Sequence, residues 1–370
     1  MQAVILVGGE GTRLRPLTSR LPKPVIPLVD RPFLSYMLEW LRGHGVDDVI
    51  LSCGFEPTKI REALGDGSSL GLALRYVVEP EPRGTAGALK FAEELLEDRF
   101  LMLNGDVLTD VDVGAQLAQH QATGAVGTLG LVPVVDPSAY GLVLLDEDRA
   151  VTGFLEKPGP AELVGVDRYL ISAGIYVLER SVLDLIPPER NVSIEREVWP
   201  RLVGKGLYGA PAEGAYWMDI GTPQRYLQGT FDILEGNVRT AVLDRLGTGY
   251  LAVDASTRVD GRVVPPAVVG PRCTVHARAH VGALVVLGAD VVIGEGARVE
   301  RAVVLDRATI GPGCDVSDCI IAPGAHIAEG AVVSGGAVIG EGVRVAAGNL
   351  LTAGIKVFPD VELPAGAIKF

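Results

Sequence analysis

Between Val269 and Val357 an aliphatic residue returns every sixth position, sixteen times in succession, with only the steps Val299 to Val304 and Val316 to Ile321 shortened to five. Neither an α-helix nor an ordinary strand has that period, because one helix face recurs every three or four residues and one strand face every two. Six is met by a coil of short parallel strands, each segment forming one side of a prism and sending one aliphatic inward. Glycine often follows the aliphatic, as in Val281-Gly282, Ile293-Gly294 and Ile339-Gly340. A Val-rich sandwich would show turn signals every ~8–12 residues instead. Residues 263–370 are therefore expected to form a parallel β-helix of hexapeptide repeats. Its flat apolar sides and open ends predict a homo-oligomer.

Upstream the texture differs. Up to about residue 134, β-rich runs (3–7, 48–54, 74–79, 100–108) alternate with helical patterns at 33–42, 58–64 and 85–97. This is the pattern of a parallel sheet covered by helices, whose ligands sit beyond the carboxyl ends of the strands. Residues 140–220 read as hairpins around a helix at 193–203. Thr222 and Pro223 then read as N-cap and first residue of a helix with Leu227, Phe231 and Leu234 on one face. The domains expected are a Rossmann-like α/β domain at 1–236, a linker at 237–262 and the β-helix at 263–370.

A net charge of −13 argues against a general nucleic-acid surface. No apolar stretch reaches the roughly 18 residues of a membrane span, and no signal peptide is recognisable, which predicts a cytoplasmic protein without membrane association. Cys53, Cys273, Cys314 and Cys319 lack metal-ligand spacing and read as reduced and structural. His44, His120, His276, His280 and His326 form no catalytic or zinc pattern.

Against this acidic background the stretch 8–24, GGEGTRLRPLTSRLPKP, gathers Arg13, Arg15, Arg20 and Lys23 directly after the first strand. Glycines there let backbone N–H groups approach a phosphate, and the cations supply charge. The stretch is not a Walker A loop, lacking GK[ST], and it lacks the third glycine of a dinucleotide fingerprint.

The stretch resembles the GGxGTRL…PKP signature of the sugar-1-phosphate nucleotidyltransferases, the nucleotide-sugar pyrophosphorylases. The resemblance continues in order through RGTAGAL (83–89), NGDVL (104–108), FLEKP (154–158), SAGIYVL (172–178), SIEREVWP (193–200) and WMDIGTP (217–223). It is strongest to the branch that uses GTP and mannose 1-phosphate, and the hexapeptide tail, left-handed in such proteins, matches too. The implied reaction is attack of a sugar-1-phosphate oxygen on the α-phosphorus of a nucleoside triphosphate, expelling pyrophosphate.

The resemblance implies that Arg13 and Lys23 are catalytic groups on the phosphates, and that Leu6, Gly8, Gly9, Gly11, Thr12, Glu79, Gly84 and Thr85 hold the nucleotide. Gly141, Glu156, Lys157, Ser172 and Gly174 would bind the sugar phosphate, and Asp106 with Asp219 would ligate Mg2+. It assigns no role to Arg15 or Arg20. Ser172 departs from the asparagine common in the family, which loosens the sugar assignment. Glu79 stands where thymidylyl and uridylyl members carry a glutamine. A carboxylate meets the two adjacent donors of guanine, N1–H and the N2 amino group, but would be repelled by the carbonyls of thymine or uracil. The alternatives are another sugar and base, such as glucose 1-phosphate with dTTP or UTP, or a regulatory nucleotide-sugar-binding subunit.

Overall fold

A computed structural model describes residues 1–369. The chain forms two units, one of Met1–Gly9 with Leu34–Trp217, the other of Glu10–Phe33 with the residues from Met218 onward.

The first unit is built on a nine-stranded sheet. The four strands that the alternation marks, Gln2–Leu6, Asp48–Cys53, Ala73–Val78 and Arg99–Asn104, are all parallel, with Gln2–Leu6 between the second and the fourth. Leu170–Glu179 joins antiparallel to Arg99–Asn104, and the hairpin Gly141–Leu145 with Val151–Glu156 extends that side. Apolar side chains from both halves, Val4, Ile50, Met102, Tyr176 and Trp199 among them, share one core.

Two helices depart from the expected spans. The one expected over 85–97 runs Gly84–Phe91 and then tightens: the Ala92 N–H is shared between the carbonyls of Ala88 and Leu89, and a 3-10 turn Glu93–Leu95 follows. The one expected over 193–203 is a π-turn Ile194–Val198 leading into a short α-turn Trp199–Leu202. Pro200 has no N–H for the carbonyl four residues back and its ring crowds it, which breaks the regular ladder.

In the second unit all sixteen residues of the six-residue period lie in one core. Small residues two positions earlier, such as Cys273, Ala279, Ala297, Cys314 and Cys319, are buried with them. All pairing along this coil is parallel: Val275 lies against Ile293, a turn of eighteen residues, whereas Ile310 lies against Ile327, a turn of seventeen. Each seventeen-residue turn contains one five-residue step, and at these steps two sides merge into the continuous strands Arg298–Val304 and Asp315–Ile321. Arg301 and Asp318 turn those corners at φ 45. The Arg301 guanidinium donates to Asp318 Oδ1 at 2.7 Å and lies 4.8 Å over the Phe231 ring.

Phe231 belongs to the helix Pro223–Glu235, which is capped by Thr222 and ended by left-handed Gly236. The stretch 237–262 contains a helix, Ala241–Leu246, and the strands Leu251–Val253 and Arg258–Val259, paired parallel with Ala267–Val269 and Thr274–Val275. Parallel pairing thus begins before the aliphatic period does.

Candidate active site

Parallel register brings the carboxyl ends of the first unit's strands side by side, with Leu6 opposite both Ser52 and Asn104. The chain leaves Gln2–Leu6 toward two strands on one side and returns to Arg99–Asn104 on the other, which makes this a topological switch point. Backbone fills the crevice closely. The Gly105 N–H donates to the Leu6 carbonyl at 3.0 Å, and a Cβ on Gly105 would stand 2.6 Å from Val7 Cγ1. A Cβ on Gly54 would stand 3.0 Å from the Gly8 carbonyl oxygen. Only glycine leaves the first loop and the strand ends this close, and Gly8, Gly9 and Asp106 emerge here.

Glu79 is buried at the end of the third strand, not exposed to solvent. Its Oε1 accepts from Ser52 Oγ at 2.9 Å and its Oε2 from the Arg83 N–H at 3.1 Å, and Oε1 faces Gly8, 3.8 Å from where a Cβ would be. A carboxylate has about four lone-pair sites, so acceptor capacity remains for a ligand. Beside it the Cys53 thiol is pushed up to about 12 by burial and then by the Glu79 charge.

Gly84 opens the next helix at φ 69, and a Cβ there would meet the Val192 carbonyl at 2.6 Å. Thr85 Oγ1 donates to Glu195 Oε2 at 2.9 Å and accepts from the Ile194 N–H at 2.8 Å. That hydroxyl ties the helix start to the segment 193–197, leaving the backbone as the part of Thr85 suited to a nucleotide.

On the other flank Glu156 pairs across the hairpin with Gly141, and a Cβ at Gly141 would stand 3.2 Å from Glu156 Oε2. Lys157 follows at φ 54, its N–H donating to the Tyr140 carbonyl at 2.8 Å and its Nζ 4.0 Å from Glu156. Gly174, at φ 70, lies against Asn104, whose Nδ2 would be 2.7 Å from a Cβ. Ser172 Oγ and Tyr176 Oη are 2.9 Å apart. Burial first, then the charges of Glu195, Glu156 and Asp106, push the Tyr176 hydroxyl well above its ordinary range. All three carboxylates are therefore within electrostatic reach of one buried phenol.

Tyr140 and Trp217 escaped the sequence reading. Their rings meet edge-on at 5.5 Å, and Trp217 Nε1 donates to the Ala173 carbonyl at 2.8 Å, next to Gly174. Their adjacency to Gly141 and to the WMD triplet was the available signal.

The second unit carries the basic loop. Gly11, at φ 64, starts a tight turn at Thr12–Leu14; its carbonyl accepts from Leu14 N at 3.0 Å and from Thr18 Oγ1 at 2.7 Å. Lys23 is buried to 8% exposure, with its stem against Gly11. The Arg13 guanidinium and the Asp219 carboxylate both lie against Gly221, and Asp219 is ion-paired with Arg225. Arg15 pairs with Glu10 at 3.2 Å, and Arg20 pairs with Asp360 and, at 3.6 Å, Glu341. Both arginines left without a role thus have structural partners.

Among the described residues no three His, Cys, Asp or Glu side chains gather as a ready-made metal cage. Asp106 and Asp219 are nonetheless hard oxygen donors, the kind Mg2+ takes one or two at a time with phosphate oxygens and water completing its shell. The four cysteines are buried and unpaired, and no helix among the described residues is long and apolar enough to cross a membrane.

Comparison with known proteins matches residues 2–236 to the family described as nucleotidyl transferase and residues 263–366 to the GMPPB C-terminal domain. A mannose-1-phosphate guanylyltransferase of Mycobacterium tuberculosis is 43% identical over 64% of this chain and 65% of its own length. A mannose-1-phosphate guanyltransferase of Schizosaccharomyces pombe is 38% identical over 74% of each chain. The first of these alignments spans just under two thirds of the relative. The crystal structure of HddC from Yersinia pseudotuberculosis aligns with a TM-score of 0.55 at 27% identity, covering 63% of this chain and 99% of that one.

Proposed function

Since this chain belongs to the nucleotidyl transferase family, we propose that it is an enzyme joining GTP and mannose 1-phosphate into GDP-mannose with release of pyrophosphate. The observation that carries the guanine assignment is Glu79: a buried carboxylate, held by Ser52 and the Arg83 N–H, turned toward Gly8 at the strand ends. Its remaining lone pairs suit the paired N1–H and N2 donors of guanine. The names of the relatives support the same substrates.

Each unit contributes groups suited to one part of the reaction. In the first, the backbone at Gly8, Gly9 and Gly84 receives the nucleotide. Glu156 and the backbone of Gly141 and Gly174 accept and donate to sugar hydroxyls, Ser172 adds a short hydroxyl, and Lys157 offsets the sugar-phosphate charge. In the second, Arg13 and Lys23 neutralise the triphosphate as the α-phosphorus is attacked and pyrophosphate leaves. Catalysis of this kind rests on positioning and charge stabilisation, without a covalent protein intermediate. Mg2+ held by Asp106 or Asp219 would supply Lewis-acid polarisation of the phosphates. The buried, unpaired thiols support a reducing, cytoplasmic setting, and the open-ended stack of parallel strands supports a homo-oligomer.

Phosphorus NMR of a mixture of the protein, GTP, mannose 1-phosphate and Mg2+ tests the reaction type. Equal growth of a sugar-diphosphate pair and of pyrophosphate is expected. Release of phosphate or GMP without a new diphosphate would refute it.

A further inference from the structure

We infer that Lys356, Asp360 and Glu341, on the last turns of the hexapeptide coil, are positioning residues that hold the basic loop in its working shape. The inference rests on the function proposed above for that loop. The segment Glu10–Phe33 groups with the C-terminal part of the chain although it directly follows the first strand. Two ties join it to the coil and a third to the helix packed on the coil. Lys356 Nζ donates to the Arg13 carbonyl at 3.4 Å. Arg20 is clasped by Asp360 and Glu341. The Tyr226 hydroxyl, on the helix that packs on the coil, donates to the Pro27 carbonyl.

The coil is shaped for this contact. Asp360 stands at φ 60, and a Cβ on Gly342 would come 2.7 Å from its Oδ1, so glycine there leaves the carboxylate room. Between these ties the middle of the loop is only partly covered, with Leu17 and Leu21 half-buried and Ser19 and Arg20 exposed. Leu17, Leu21 and Ile26 line a small hollow open to solvent together with Leu305, Pro323 and Pro359. Leu14, Val25 and Ile26 are buried and anchor the flanks, but the half-buried and exposed middle draws less rigidity from apolar contact, and polar ties restrain it. Arg13 sits at one end of the restrained stretch and Lys23 lies between its last two ties, and small displacements of such groups cost rate steeply. The coil thus shapes the phosphate-binding loop, a role separate from self-association.

The test compares the full-length protein with Lys356→Ala and with the double variant Asp360→Ala/Glu341→Ala, none of which alters a proposed substrate-binding group. Amide exchange without substrate reads the loop directly through the Leu14, Arg15 and Ile26 N–H groups, which bond within it. Exchange at these amides should quicken about tenfold while coil amides stay protected. With GTP and mannose 1-phosphate, kcat should fall more than either KM rises. The swapped pair Arg20→Asp/Asp360→Arg should regain protection that Arg20→Asp alone loses. Unchanged loop exchange in the Lys356 and Asp360/Glu341 variants overturns the inference. A wild-type protein inactive on every nucleotide and sugar phosphate would instead contradict the proposed function, and the exchange result would still decide the coil's role.

Discussion

Arg13 and Asp219 meet at Gly221: a methyl on that glycine would stand 3.0 Å from Arg13 Nη2 and 2.9 Å from Asp219 Oδ2. Both atoms are the far ends of side chains that can move aside, so Gly221→Ala should fold with little loss of stability. Yet the two groups displaced are the proposed phosphate-stabilising cation and a proposed metal ligand. A drop in kcat of about tenfold to a hundredfold is expected, with melting temperature within a few degrees of the wild type. Paired steady-state kinetics and thermal denaturation check this.

Asp106→Asn keeps the shape of the side chain but removes the charge that Mg2+ needs. Turnover should fall by at least about a thousandfold, a loss on the scale of several kcal/mol of transition-state stabilisation. Mn2+ binding in the presence of GTP, followed by electron paramagnetic resonance, should weaken in parallel. Wild-type turnover and Mn2+ affinity in this variant would remove Asp106 from the metal site.

Stability should fall on mild acidification because of His120. Its Nδ1 contacts Thr128 Oγ1 at 2.8 Å and its Nε2 contacts Glu179 at 3.0 Å. Burial lowers its pKa below the ordinary 6.5, only partly offset by Glu179. The unfolded chain therefore takes up this proton at a higher pH than the folded one. The stabilisation is present above about pH 6.5 and is lost as pH falls from there through the lower folded value. Melting temperatures between pH 7.5 and 5 should decline in the wild type and decline less in His120→Gln.

The hexapeptide coil was legible because every position of the period is an interior one, with Val281, Ile310 and Ile339 fully buried. A one-dimensional repeat writes its core directly into the sequence. The early turns were less legible: Leu251–Val253 and Arg258–Val259 pair like the rest but present half-buried or exposed residues in place of interior aliphatics. The parallel strands and their glycine-lined ends were readable from alternation, since Gly105 and Gly54 mark close backbone approach. What spacing could not reveal is contact across the chain. Arg20 and Asp360 are 340 residues apart, and neither lies in a periodic pattern. The bonds consuming the Thr85 hydroxyl depend likewise on where Pro200 breaks the helix near Glu195.

The central claim, that the first unit selects guanine through Glu79, is tested most directly by catalytic efficiency across GTP, dTTP and UTP with mannose 1-phosphate and glucose 1-phosphate, in the wild type and in Glu79→Gln. GTP with mannose 1-phosphate should lead in the wild type. In the variant the ratio of GTP to dTTP efficiency should fall by about 1–3 kcal/mol, or roughly fivefold to more than a hundredfold, the usual scale for a buried polar group left poorly paired. A wild type that prefers dTTP or UTP, or a variant with an unchanged ratio, would contradict the assignment.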